Sequence, residues 1–137
     1  MLNIVIDTNV LISAIGWENG NEREIVDKCA DKVFQLIESH DLLDEFERVI
    51  FYKKFDFIPD YKKKEFLGTL SEISRIIRPT RKLDIIKADK TDNKILECAL
   101  EGKVDYIISG DKHLLDLKEF SGMKIVKPAE FLKILHK

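Results

Sequence analysis

A three-layer α/β/α sandwich with a central parallel sheet of about five strands is the fold class that this sequence predicts. Strand-like and helix-like segments alternate along the chain, which implies a parallel sheet covered by helices on both faces. The chain opens with a short apolar run, Ile4-Val5-Ile6, that passes straight into polar residues and then into a second apolar stretch. That is the pattern of a buried strand feeding a helix. The 137 residues show no repeat, low-complexity tract or linker, so one domain spanning residues 1–137 is expected.

Asn3–Asp7 is the first expected strand. Ile12–Trp17 and Glu22–Asp31 read as helices, separated by the turn residues Glu18-Asn19-Gly20-Asn21. Val33–Glu38 reads as the second strand. From Ser39 a helix follows in which Leu42, Leu43, Phe46, Val49 and Ile50 recur at helical spacing. Pro59 interrupts that pattern, and Asp60–Ser74 is again helical, with Tyr61, Phe66, Leu67, Leu70 and Ile73 expected to point inward. Arg75–Arg78 is a short strand stopped by Pro79. Asp92–Leu100 is an amphipathic helix closed by Gly102. Val104–Ser109 and Met123–Val126 complete the strands, and Pro128–Leu135 is a last helix started by its proline.

A hydrophobic fraction of 45% with 35% charged residues describes a globular chain. No apolar run approaches the roughly 18 residues of a membrane span. The N-terminal apolar stretch is short and interrupted by Asp7 and Asn9, which does not fit a signal peptide, so a cytoplasmic protein is expected. Cys29 and Cys98 are isolated and read as reduced thiols. His40, His113 and His136 share no spacing that suits zinc. Neither a Gly-rich phosphate loop nor a Ser/His/Asp order is present, so nucleotide hydrolysis and acyl transfer have no support.

The acids carry the functional signal. Asp7 follows the first strand, and Glu45 lies one turn into the helix after the second. Asp92 opens the helix before the fourth strand, and Asp111 follows that strand in Ser109-Gly110-Asp111. The carboxyl ends of parallel strands share one edge of a doubly wound sheet, so these four should face a common crevice. Taken singly, each has an ordinary reading as a helix cap or a solvated residue. Taken together, four carboxylates in one crevice repel unless a cation sits among them. Oxygen donors of this kind suit Mg²⁺ or Mn²⁺, ions that support attack of water on phosphorus.

Four segments resemble the PIN-domain nucleases: Ile4-Val5-Ile6-Asp7-Thr8-Asn9-Val10-Leu11-Ile12-Ser13, Leu43-Asp44-Glu45-Phe46, Thr91-Asp92-Asn93-Lys94-Ile95-Leu96-Glu97-Cys98-Ala99, and Tyr106-Ile107-Ile108-Ser109-Gly110-Asp111-Lys112-His113-Leu114-Leu115. The closing Val126-Lys127-Pro128-Ala129-Glu130-Phe131-Leu132 also looks like that family, in the branch that contains the toxins of toxin–antitoxin pairs. The resemblance implies a PIN-like fold and a metal-dependent ribonuclease, with Asp7, Glu45, Asp92 and Asp111 as the metal-binding quartet. It further implies that Asn9 and Ser13, and more weakly Thr8 and Ser109, support a metal ligand or its water. An antitoxin protein and a homodimer are the partners it implies. One departure is visible: relatives in this branch often carry Arg-Asp-Pro before the third acid, where this chain has Ala88-Asp89-Lys90. Asp89 there serves either as a helix cap or as a group that touches metal through water. A non-catalytic RNA-binding or scaffold module, and an RNA-processing nuclease without an antitoxin, are the rival readings.

Charge is uneven. Residues 48–87 hold 11 Lys/Arg against 5 Asp/Glu, whereas the rest of the chain holds 12 against 20. Residues 51–66 interleave six aromatics with five lysines, Lys53, Lys54, Lys62, Lys63 and Lys64. Lysines beside stackable rings are how proteins grip single strands, which makes these five candidates for RNA contact. The same segment also fits a dimer surface, or a plain helix joint in which Phe55, Phe57, Tyr61 and Phe66 are core and the lysines solvated. Trp17 either stacks on a substrate base or covers the core.

Overall fold

The computed structural model describes residues 1–87 and 91–135, so Asp89 and His136 lie outside the described residues. The first half of the chain runs β1 (Asn3–Ile6), α1 (Thr8–Gly16), α2 (Asn21–Ala30), β2 (Gln35–Ser39), α3 (His40–Ile50), α4 (Asp60–Ile73) and β3 (Ser74–Ile77). The second half runs α5 (Thr91–Gly102), β4 (Tyr106–Ile108), α6 (Lys112–Leu115), β5 (Glu119–Phe120), β6 (Met123–Val126) and α7 (Pro128–Leu135). The strands form one sheet in the order β3-β2-β1-β4-β6-β5, with every neighbouring pair parallel except β5 and β6. Among the described residues, no helix is long and apolar enough to cross a membrane.

The sheet is apolar on both sides because helices cover both. Along β1, Ile4 and Ile6 join a core with Leu11, Ile25, Phe46, Leu70 and Phe131, drawn from α1, α2, α3, α4 and α7. Val5 points the other way, into a core with Ile95, Leu96, Cys98 and Ala99 of α5. Cys29 and Cys98 are buried free thiols in these two separate cores. The expected sandwich is therefore the observed one, with an added edge strand. β5 pairs antiparallel with β6 through Ser121 (φ 52°) and Gly122 (φ 84°), a two-residue turn with two left-handed positions.

Two expectations need correction. Gly102 does not stop α5 as a left-handed cap; the positive φ of 49° belongs to Lys103. Gly102 serves close approach instead, since a Cβ there would lie 2.6 Å from Ile37 Cγ2 on β2. Tyr61 does not point inward: it is 65% exposed, whereas Phe66 and Leu70 on the same helix are buried.

The order of strands decides where the site lies. From β1 the chain moves to β2 and β3 on one side, then crosses to β4, which pairs with β1 on the other, with Ile4, Val5 and Ile6 opposite Tyr106, Ile107 and Ile108. The carboxyl ends of β1 and β4 thus flank the point where the winding reverses, which is where open α/β sheets leave a crevice.

Candidate functional site

Asp7 is the residue that β1 delivers to this crevice. It caps α1, its Oδ1 accepting the backbone N–H of Asn9 at 2.8 Å. Its Oδ2 accepts the hydroxyl of Ser109, at the end of β4, at 2.5 Å. Only 4% of Asp7 is exposed, and that burial pushes its carboxyl above the ordinary aspartate value. The Ser109 and Asn9 hydrogen bonds pull it back down, while the charges of Asp111 and Glu45 push it up. Both acids are thus electrostatic neighbours of Asp7.

Glu45, half-buried on α3, is tied to the chain after β1 by Thr8, whose Oγ1 donates to Glu45 Oε2 at 2.9 Å. Asp111 caps α6, accepting the His113 N–H on Oδ1 at 2.8 Å, and its own N–H donates to Ser109 Oγ at 2.9 Å. Ser109 therefore joins the two aspartates directly. Asp92 is buried in the first turn of α5, and α5 packs on β1, β2 and α3. The next residue, Asn93, holds the preceding chain in place: its Oδ1 accepts the Ile85 and Ile86 N–H groups at 2.9 and 2.8 Å, and its Nδ2 donates to Ile86 O at 2.9 Å.

Asn9 and Ser13, expected as supporting groups, line a cleft of about 400 Å³ with Asp111, Gly110, Lys112 and Glu22. Glu22 was not singled out from the sequence, where it reads as an ordinary first-turn acid of α2. Glu38 was missed as well. It is 1% exposed in β2, its Oε1 has no hydrogen-bond partner among the described residues, and burial together with the charge of Glu45 pushes its carboxyl up to about 8. A carboxylate directly after the apolar pair Leu36-Ile37 was the available signal.

Among the described residues, no three His, Cys, Asp or Glu side chains converge closely enough to enclose a metal ion. The donor set nevertheless suits a hard cation. Glu45 and Asp111 each commit one oxygen to a neutral donor, and Glu45 Oε1 and Asp111 Oδ2 make no hydrogen bond among the described residues. The acids and the hydroxyls of Ser109 and Thr8 that hold them are oxygen groups, the ligand type of Mg²⁺ and Mn²⁺.

The basic segment divides. Lys53, Lys54 and Lys64 are exposed, and Lys62 is partly so. Lys63 is only 1% exposed, with its Nζ 5.1 Å from the Phe51 ring centroid and 3.9 Å from Asp60, so the expected phosphate contact is corrected for this residue. Phe66 is core and Phe55 packs against it, but Phe57 and Tyr61 are exposed rather than joint-filling.

A comparison with protein families matches residues 3–113 to the PIN domain, a stretch that includes Asp7, Glu45, Asp92 and Asp111. The chain is also 29% identical to the uncharacterized protein MJ1680 of Methanocaldococcus jannaschii over 146 aligned residues, covering 99% of this chain and 93% of that protein. With most of its length matched and a nuclease-type α/β fold, the chain belongs to the PIN domain family.

Proposed function

We propose that this protein is a divalent-metal-dependent endoribonuclease that hydrolyses RNA phosphodiester bonds. PIN domains are usually nucleases that act on nucleic acids and generally use Mg²⁺ or Mn²⁺. The observation that carries the reading is the Asp7–Ser109–Asp111 bridge at the strand reversal, with Glu45 close enough to oppose ionisation of Asp7. In this reading Asp7, Glu45, Asp92 and Asp111 hold the cation, which supplies charge neutralisation at the phosphorus and a more acidic bound water.

The chain's own groups set the geometry. Ser109 and the Asn9 N–H fix both oxygens of Asp7 and favour its anion. Thr8 orients Glu45 so that Oε1 is left to accept a proton or a ligand. Cleavage of a labelled single-stranded RNA in Mn²⁺, and its loss in EDTA, is the test; full cleavage in EDTA would refute metal dependence. A second reading, a non-catalytic RNA-binding or scaffold module, is favoured by the absence of a converged three-acid group among the described residues. RNA bound but uncut in Mn²⁺ would select it.

A cytoplasmic toxin acting with a cognate antitoxin, as a homodimer, is the biological setting proposed. It rests on the likeness of residues 126–132 to the toxin branch. Co-purification of the natively expressed operon tests it, because an upstream small protein that binds and inhibits the chain is the expected finding. An RNA-processing nuclease would instead purify alone and active.

A further inference from the structure

The exposed rings of Trp17 and Phe57 lie together at the far end of α1, and Tyr61 lines a neighbouring cleft beside Lys62. Trp17, which closes that helix, is 58% exposed; Phe57 is 61% and Tyr61 65% exposed. The Trp17 and Phe57 ring centroids are 6.1 Å apart with their planes inclined by 59°, and both line a cleft of about 560 Å³ floored by Ile58 and Pro59. Lys62 borders that cleft, paired with Glu18 only by an exposed 3.5 Å contact of the kind a phosphate readily displaces. Lys54 sits 5.2 Å from the ring of Phe55, which in turn lies 6.5 Å from Phe57. Adjacent exposed rings beside a cleft, unlike scattered ones, mark a surface for a partner.

We propose that Trp17 and Phe57 form a stacking platform for unpaired bases of single-stranded RNA, with Lys54 and Lys62 following the phosphates. The inference rests on the reading of the acids as the phosphodiester site, and it defines the substrate as an unpaired strand that extends beyond the cleaved bond. Two features favour RNA over other occupants. Phe57, Lys54 and Lys62 lie in the basic part of an otherwise acidic chain. α1 is a rigid link, with Asp7 at one cap and Trp17 at the other, on the order of 15 Å apart at ~1.5 Å per residue. A strand of a few nucleotides spans that length, so one strand reaches both places.

Trp17 is the chain's single tryptophan, so its emission reports on the platform without a label. The full chain, in chelator, is titrated with octauridylate and with an abasic octamer of equal charge. Octauridylate should change Trp17 emission saturably and the abasic octamer should not. Trp17→Ala and Phe57→Ala should each weaken octauridylate binding about five- to a hundredfold, the loss of one stacked base, and leave abasic binding unchanged. Trp17→Phe, which keeps a ring, should retain most of the affinity, with thermal melts confirming that each variant is folded. Unchanged emission with octauridylate, or equal losses for the two oligomers, would overturn the proposal. So would a Trp17→Ala variant that loses a dimer in sedimentation while keeping its RNA affinity. Cleavage in Mn²⁺ is scored separately: quenching without cleavage leaves the platform standing and refutes the nuclease, whereas cleavage with silent Trp17 does the reverse.

Discussion

Ser109 donates its hydroxyl to Asp7 at 2.5 Å across a separation of 102 residues, and so couples the ends of two adjacent parallel strands at the point where the sheet reverses its winding. The same oxygen accepts the Asp111 N–H, which leaves Asp7 oriented from both sides and Asp111 held beside it.

Ser109→Ala should therefore act on Asp7 without touching its backbone. Losing the hydroxyl removes a group that favours the anion, so the already raised Asp7 carboxyl moves further up. Ionisation then needs a higher pH, and the acidic limb of the rate profile should move to higher pH. Ser109→Thr, which keeps a hydroxyl, should restore it. Thermal melting should record a cost of about 1–3 kcal/mol for the unsatisfied groups left behind.

Thr8→Val should be close to isosteric and should free Glu45 Oε2. We expect a stability change of about 1 kcal/mol, and a loss of Mn²⁺ affinity of about 10- to 100-fold, as for other groups that orient a ligand. Calorimetric titration of Mn²⁺ into both proteins checks this; equal affinities would place Glu45 outside the metal site.

Glu38 makes stability depend on pH. Its folded value of about 8 lies above the ordinary 4.5, so the native state holds a proton that the unfolded chain releases between those values. Stability from this group is fully present below pH 4.5 and is lost as pH rises through about 8. Glu38→Gln keeps the shape and removes the charge, so it should melt well above the parent at pH 8 and close to it at pH 4. Parallel melting curves across that range would show that Glu38 finds a partner that offsets its burial.

The lysines of α4 should separate by burial. Replacing Lys62 and Lys64 by Gln should flatten the slope of log affinity for single-stranded RNA against log salt by about 1.4, at roughly 0.7 per phosphate. Lys63→Met should leave the slope unchanged and act on stability instead, since Lys63 packs under Phe51. Equal slopes for all variants would assign the exposed lysines to solvation.

The alternation of strands and helices was legible because each central strand is a short apolar run and each helix repeats its apolar positions at helical spacing. β5 was not, as a two-residue strand has no periodicity; its only mark is Ser121-Gly122 before Met123. Asp7, Asp111 and Glu45 were legible as a group because parallel topology sends strand ends to one edge. The roles of Ser109 and Thr8 in binding them depend on rotamers and cross-strand distances that no spacing encodes. Phe57 and Tyr61 misled for a related reason: in a basic aromatic segment, composition does not say which rings the helix turns outward. Lys63 shows the converse, a charged residue drawn inside by a ring and a nearby aspartate.

Asp7 is proposed to anchor a cation site that hydrolyses RNA. Single-turnover cleavage of one labelled RNA by the parent and by Asp7→Asn, at matched Mn²⁺, tests it most directly. Asparagine keeps the shape and removes the negative oxygen, so the rate should fall at least ~10²-fold while the variant still melts cooperatively. A folded Asp7→Asn variant that cuts as fast as the parent would contradict the account.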